Sequence, residues 1–135
     1  MLVPGASLGG VSLGATKADV RRLWGRAYGR CRTCPRETLL FNRFAFRPEG
    51  AGVELLGGRV TAVFTIWAPA AWRTREGVAM GSTELRVTTT YPTATRTRCR
   101  GYEARMLADS GAISVVYLLD GVVRGFDLLS CGTQI

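Results

Sequence analysis

Two stretches decide the reading of this chain: Gly10–Gly25, G-V-S-L-G-A-T-K-A-D-V-R-R-L-W-G, and Gly77–Pro92, G-V-A-M-G-S-T-E-L-R-V-T-T-T-Y-P. They align at a shift of 67 residues, with Gly10/Gly77, Val11/Val78, Gly14/Gly81, Thr16/Thr83 and Val20/Val87 identical. Leu13/Met80 and Trp24/Tyr91 keep their chemical kind. Each stretch reads as the start of a helix. Thr16 is placed to cap, and Asp19 three residues on completes a capping-box pattern. Val20, Leu23 and Trp24 then share one face at i, i+3 and i+4, and Gly25 ends the run. In the second stretch Ser82 or Thr83 caps, and Val87, Thr90 and Tyr91 form the stripe. Pro92 stops the helix, and Arg86 stands where a capping box wants an acid.

Working outward, each copy leads to the same hairpin signature. Glu54-Leu55-Leu56-Gly57-Gly58-Arg59-Val60 parallels Tyr117-Leu118-Leu119-Asp120-Gly121-Val122-Val123 at a shift of 63. Gly57-Gly58 and Asp120-Gly121 suit two-residue turns that need positive φ at both central residues. Strands are predicted over 38–46, 52–56 and 59–67, then over 102–108, 112–119 and 122–129. The expected fold is α+β: two tandem α-β-β-β units forming one antiparallel sheet of about six strands, both helices on one face and the other face open. The predicted organisation is a single domain over 1–135, with repeats over about 10–69 and 77–131 joined by a Trp-containing linker, 67–76.

The pattern Gly10-Val11-Ser12-Leu13-Gly14-Ala15-Thr16-Lys17-Ala18-Asp19-Val20, followed by Gly58-Arg59-Val60, resembles the BamE/SmpA-like and β-lactamase-inhibitory-protein-like (BLIP-like) modules. The resemblance implies a bacterial extracytoplasmic module that holds another protein on its uncovered sheet face. It places Gly14, Thr16, Val20 and Gly81, Thr83, Val87 as structural positions only.

Four cysteines, Cys31, Cys34, Cys99 and Cys131, favour disulfides in a small exported chain. Cys31–Cys34 and Cys99–Cys131 are the favoured pairs, with pairing between the copies left open. Export would require a leader; residues 1–10 lack a basic n-region and a long apolar run, so none is visible and one is expected to have been removed. No apolar run approaches the ~20 residues of a membrane span.

The net charge is +8, from 17 Arg and one Lys against ten acids. Such a balance attracts acidic partners. The densest run is Arg96, Arg98 and Arg100, with no interleaved aromatic platform, so nucleic acid is not the expected partner. Trp67, Trp72 and Arg73 in the linker are candidate binding residues, since Trp and Arg dominate interface hot spots.

The chain has no His, which removes Ser-His-Asp and Cys-His mechanisms. Its acids form no sequence-level catalytic pair, and neither a metal site nor a cofactor is expected. The functional expectation is a secreted, non-enzymatic protein-binding module, an inhibitor or an envelope-associated interaction protein. Two alternatives stand beside it: a thiol–disulfide oxidoreductase working through Cys31 and Cys34, and a purely structural disulfide-stabilised domain.

Overall fold

The computed structural model describes residues 2–3, 7–26, 28–41, 51–66, 73–99, 102–108 and 114–128. Within them lie two helices, α1 (Lys17–Trp24) and α2 (Glu84–Thr90). The strands are β1 (Leu2–Val3), β2 (Ser7–Leu8), β3 (Val11–Ser12), β4 (Gly29–Arg30), β5 (Glu37–Phe41), β6 (Ala51–Leu56), β7 (Arg59–Ile66), β8 (Thr95–Cys99), β9 (Tyr102–Ala108), β10 (Ser114–Leu119) and β11 (Val122–Leu128). β1, β2 and β3 form a small sheet. The others form one eight-stranded sheet in the order β4-β5-β6-β7-β11-β10-β9-β8, and every neighbouring pair in it is antiparallel.

This corrects the expected fold class. The protein is mostly β, with a second small sheet, and four strands rather than three follow each helix. Two α-β-β-β units do not describe it. The sequence reading also lacks the two-residue strands of the small sheet, and the two strands it lacks in the large sheet have no apolar alternation. β4 has two residues, one of them Gly29, and β8 reads Thr-Arg-Thr-Arg-Cys. Both sit at the edges of the sheet, where little apolar surface has to be covered.

The identities between Gly10–Gly25 and Gly77–Pro92 have local causes. Gly10, Gly77, Gly14 and Gly81 take φ of 82°, 99°, 83° and 87°, a region that a side chain disfavours. The backbone amide of Gly14 donates to the Val60 carbonyl at 2.8 Å, and that of Gly81 donates to Val123 at 2.9 Å. Lys17 donates in the same way to Gly58, and Glu84 to Gly121. Each helix start is thus tied to the hairpin of its own half, β6–β7 or β10–β11. The turn residues Gly57, Gly58, Asp120 and Gly121 all have positive φ.

Val20 and Val87 are fully buried, and Trp24 nearly so, in a core with Leu39, Phe41, Val53, Val63, Val116 and Phe126. Leu23 departs from the expected stripe: it is 50% exposed. At eight residues α1 has room to bury only Val20 and Trp24 deeply. The Trp24 ring meets Phe41 edge-on, centroids 5.3 Å apart, and its indole N–H donates to the Gly9 carbonyl. Alternation along β10 sends Val116 and Leu118 into this core and Val115 and Tyr117 to the other face.

Candidate functional site

The expected open face is not open over β9 to β11. Ala104 and Val115 are fully buried there and Tyr117 is 5% exposed. Asp127, on the same face, is also fully buried, and its Oδ2 accepts from the Tyr117 hydroxyl at 2.5 Å. Asp127 is therefore an interior polar group, matched by a phenol on the adjacent strand.

Of the expected binding residues, Trp67 and Trp72 lie outside the described residues. Arg73 is exposed; its carbonyl accepts from the Leu2 amide at 2.7 Å, and its backbone bridges to Ala79. The expected Cys99–Cys131 bridge also falls outside the described residues. Cys31 and Cys34 are joined, with their Cα atoms 5.6 Å apart. The bridge closes the turn between β4 and β5, where the Cys31 amide donates to the Thr38 carbonyl.

Beside that turn lies a constellation that sequence reading did not single out. Tyr28 packs its ring against Phe41, centroids 5.4 Å apart, and so is anchored to the core. Arg21 on α1 donates to the Tyr28 hydroxyl from Nη2 at 2.8 Å and from Nε at 3.1 Å. Lys17, one turn earlier, pairs with Glu37 of β5 at 2.8 Å. Arg30 of β4 faces the same groups. The Arg21 hydrogen bond, with help from Arg30 and Lys17, holds the Tyr28 phenol below its ordinary pKa. Lys17 first, then Arg30 and Arg21, holds the Glu37 carboxyl below its own.

The segment from Lys17 to Glu37 carries seven cations against two carboxylates, more than half of the net charge of the chain. Its ion pairs are Lys17–Glu37, Arg22–Asp19 at 3.0 Å and Arg36–Glu54 at 3.5 Å. Arg26, Arg30 and Arg32 are all exposed and make no ion pair within 4 Å of a carboxylate among the described residues, though Arg30 acts on Glu37 at longer range. Among the described residues, α1, β4 and the bridged turn thus carry a cationic surface that the sequence reading, which singled out Arg96, Arg98 and Arg100, did not pick out. The available signal was the spacing Lys17, Arg21, Arg22, Arg26, which runs around a helix and off its end.

No group of three or more His, Cys, Asp or Glu side chains that could hold a metal ion occurs among the described residues. Among them, no helix is long and apolar enough to cross a membrane.

No family model matches the sequence, and no curated protein matches it. The structure is similar to part of a solved extracellular protein containing an SCP domain from Bacillus anthracis str. Ames, with a TM-score of 0.63 and 7% identity. The match covers 87% of this chain and 44% of that one. The chain therefore spans less than half of that protein's length, and at this identity the likeness is one of fold.

Proposed function

We propose that this chain is an extracytoplasmic, non-enzymatic binding module that recognises an acidic protein surface through α1, β4 and the disulfide-closed turn. The observation that carries the reading is the convergence of Lys17, Arg21 and Arg30 on Tyr28 and Glu37, within a segment holding seven cations and two carboxylates. Arg is suited to this role because its planar fork donates two hydrogen bonds to one carboxylate. Tyr28 and the Cys31–Cys34 bridge keep the surface stiff, which lowers the ordering cost of association. The carboxylates of Asp19, Glu37 and Glu54 are interspersed among the cations and would repel a continuous phosphate backbone, so a mixed-charge protein surface fits better than nucleic acid.

The extracytoplasmic placement draws on the disulfide, on the resemblance to BamE/SmpA-like and BLIP-like modules, and on the likeness of fold to an extracellular protein.

The test compares the native chain with the triple variant Arg26→Glu, Arg30→Glu, Arg32→Glu, none of which holds the core. Binding to polyglutamate, to heparin and to anionic vesicles is measured at low and at physiological salt, alongside the melting temperature. The expected result is salt-dependent binding to polyglutamate that the variant loses while it still unfolds in one cooperative transition, at a melting temperature lowered slightly by the loss of the Arg30 contact to Tyr28. Equal binding by the variant, or preference for heparin or vesicles over polyglutamate, overturns the reading.

A further inference from the structure

We infer that the Cys31–Cys34 bridge is a modification site: an anionic small thiol opens it at Cys34, forms a mixed disulfide there, and releases Cys31 as a thiolate beside Arg30 and Arg32. This goes beyond recognition of an acidic protein surface, and it holds or fails independently of that reading.

Both cysteines are half-buried in the turn after β4, and Arg32, Thr33, Pro35 and Arg36 around them are exposed. A thiol in solvent therefore reaches the bridge, as it could not if the sulfurs were enclosed in the core. The turn carries charge of one sign. Residues 30–36 hold Arg30, Arg32 and Arg36 and no acid. The carboxylates of the adjoining strands already have cations of their own: Glu37 of β5 pairs with Lys17 at 2.8 Å, and Glu54 of β6 with Arg36 at 3.5 Å. Arg30 shares Glu37 with Lys17 at longer range, and Arg32 makes no ion pair within 4 Å among the described residues. Surplus positive charge raises the local concentration of anionic thiols over cationic ones.

The two sulfurs are not equivalent. Cys31 stands between two cations in the chain, Arg30 and Arg32, whereas Cys34 stands between Thr33 and Pro35. The Thr33 hydroxyl lies 3.8 Å from Cys31 Sγ, and with the bridge closed the hydroxyl is the only donor of the two. Both features stabilise negative charge on Cys31. The better stabilised thiolate departs faster, so Cys31 leaves and Cys34 is attacked. The incoming thiolate sulfur bonds to Cys34 Sγ as the Sγ–Sγ bond breaks, and the electron pair of that bond passes to Cys31. The added thiol is oxidised, Cys31 is reduced, and no proton moves. Reversal is open because the turn stays tied after opening. The Cys31 amide donates to the Thr38 carbonyl at 3.0 Å, and Gly29 and Arg30 pair with Leu40 and Leu39.

The full chain is treated with mercaptoacetate, which carries a carboxylate, or with cysteamine, which carries an ammonium, at low and at high salt. Samples are quenched in acid, the mixed disulfide is mapped by peptide mass spectrometry, and rates are expressed per thiolate. The mercaptoacetate adduct is expected on Cys34. The ratio of the mercaptoacetate rate to the cysteamine rate should be about fivefold higher at low salt than at high salt, the size of one charge pair screened by salt near a surface. Arg30→Glu with Arg32→Glu should abolish this salt dependence. Thr33→Val, which keeps the shape of the side chain and removes the hydroxyl, should slow opening and spread the adduct over both cysteines. A bridge unreactive to millimolar thiol, an adduct on Cys31 in the native chain, a salt effect retained in the Arg variant, or unchanged opening in Thr33→Val would each overturn the proposal.

Discussion

Thr16 and Thr83 cap the two helices through the same hydrogen bond, each hydroxyl accepting at 3.1 Å from the backbone amide three residues on, yet only the Thr16 amide is answered by a carboxylate, Asp19. Thr16→Ala and Thr83→Ala should each cost about 1 kcal/mol. Arg86→Asp would supply the missing acceptor and replace a cation near a helix N-terminus with an anion, so it should stabilise by about 0.5 kcal/mol. Chemical denaturation of the three variants checks this. An Arg86→Asp variant less stable than the native chain would show that Arg86 contributes through contacts other than the cap.

Tyr91 is expected to make the fold sensitive to alkali. Burial, and then the adjacent Glu76 carboxylate, pushes its phenol up to about 12. In the unfolded chain a tyrosine ionises near ~10. The native state therefore holds this proton more tightly, and the corresponding stability is fully present below pH ~10 and lost as the pH rises towards 12. Tyr91→Phe should flatten the fall in stability across that window. Phenolate absorbance gives a second readout: the variant should lack a late transition near 12. Tyr28→Phe, by contrast, should lack one below the usual range, because the Arg21 hydrogen bond lowers that phenol. An unchanged alkaline limb in Tyr91→Phe would rule out the coupling.

Much of the local structure was legible because it rests on residues that the backbone demands. Positive φ at Gly10, Gly14, Gly77 and Gly81, and the caps Thr16 and Thr83, are properties of single positions and are written in residue type. The fold class was not legible, because edge strands need no apolar pattern. The polar alternation of β8 is indistinguishable in sequence from a loop, and β4 is too short for any period to show. Burial of Asp127 depends on strand pairing: Val115 lies opposite Asp127 and Gly125 opposite Tyr117, which sets the phenol diagonal to the carboxylate. The cationic surface joins Lys17 and Arg21 of a helix to Arg30 of a strand, and only the packing of α1 beside β4 and β5 brings them together.

The short bridge should contribute measurably to stability. Chain-entropy arithmetic for the four-residue loop Cys31–Cys34 gives about 2 kcal/mol through the unfolded state. Cys31→Ser with Cys34→Ser should lower stability by that amount. It should also weaken polyglutamate binding less than the triple charge variant does, since the bridge acts by stiffening the turn. Equal loss of binding in both variants would mean that the turn, rather than its charge, makes the contact.

Gly52 and Phe64 should behave as one unit. They are opposite each other on β6 and β7, and a Cβ at Gly52 would come within 2.4 Å of the Phe64 ring and 3.1 Å of the Leu39 carbonyl oxygen. The first distance forces the ring to move, and the second involves backbone that yields less readily. Gly52→Ala should therefore destabilise by about 1–3 kcal/mol, the usual range for overpacking. Phe64→Ala removes the ring and has its own cost, but Gly52→Ala added to it should cost much less than in the native background. A double-mutant cycle by denaturant unfolding isolates this coupling. Its expected sign is favourable in the double variant, with a residual penalty from the Leu39 carbonyl. Additive costs would show that the sheet backbone, not the aromatic ring, is what excludes a side chain at Gly52.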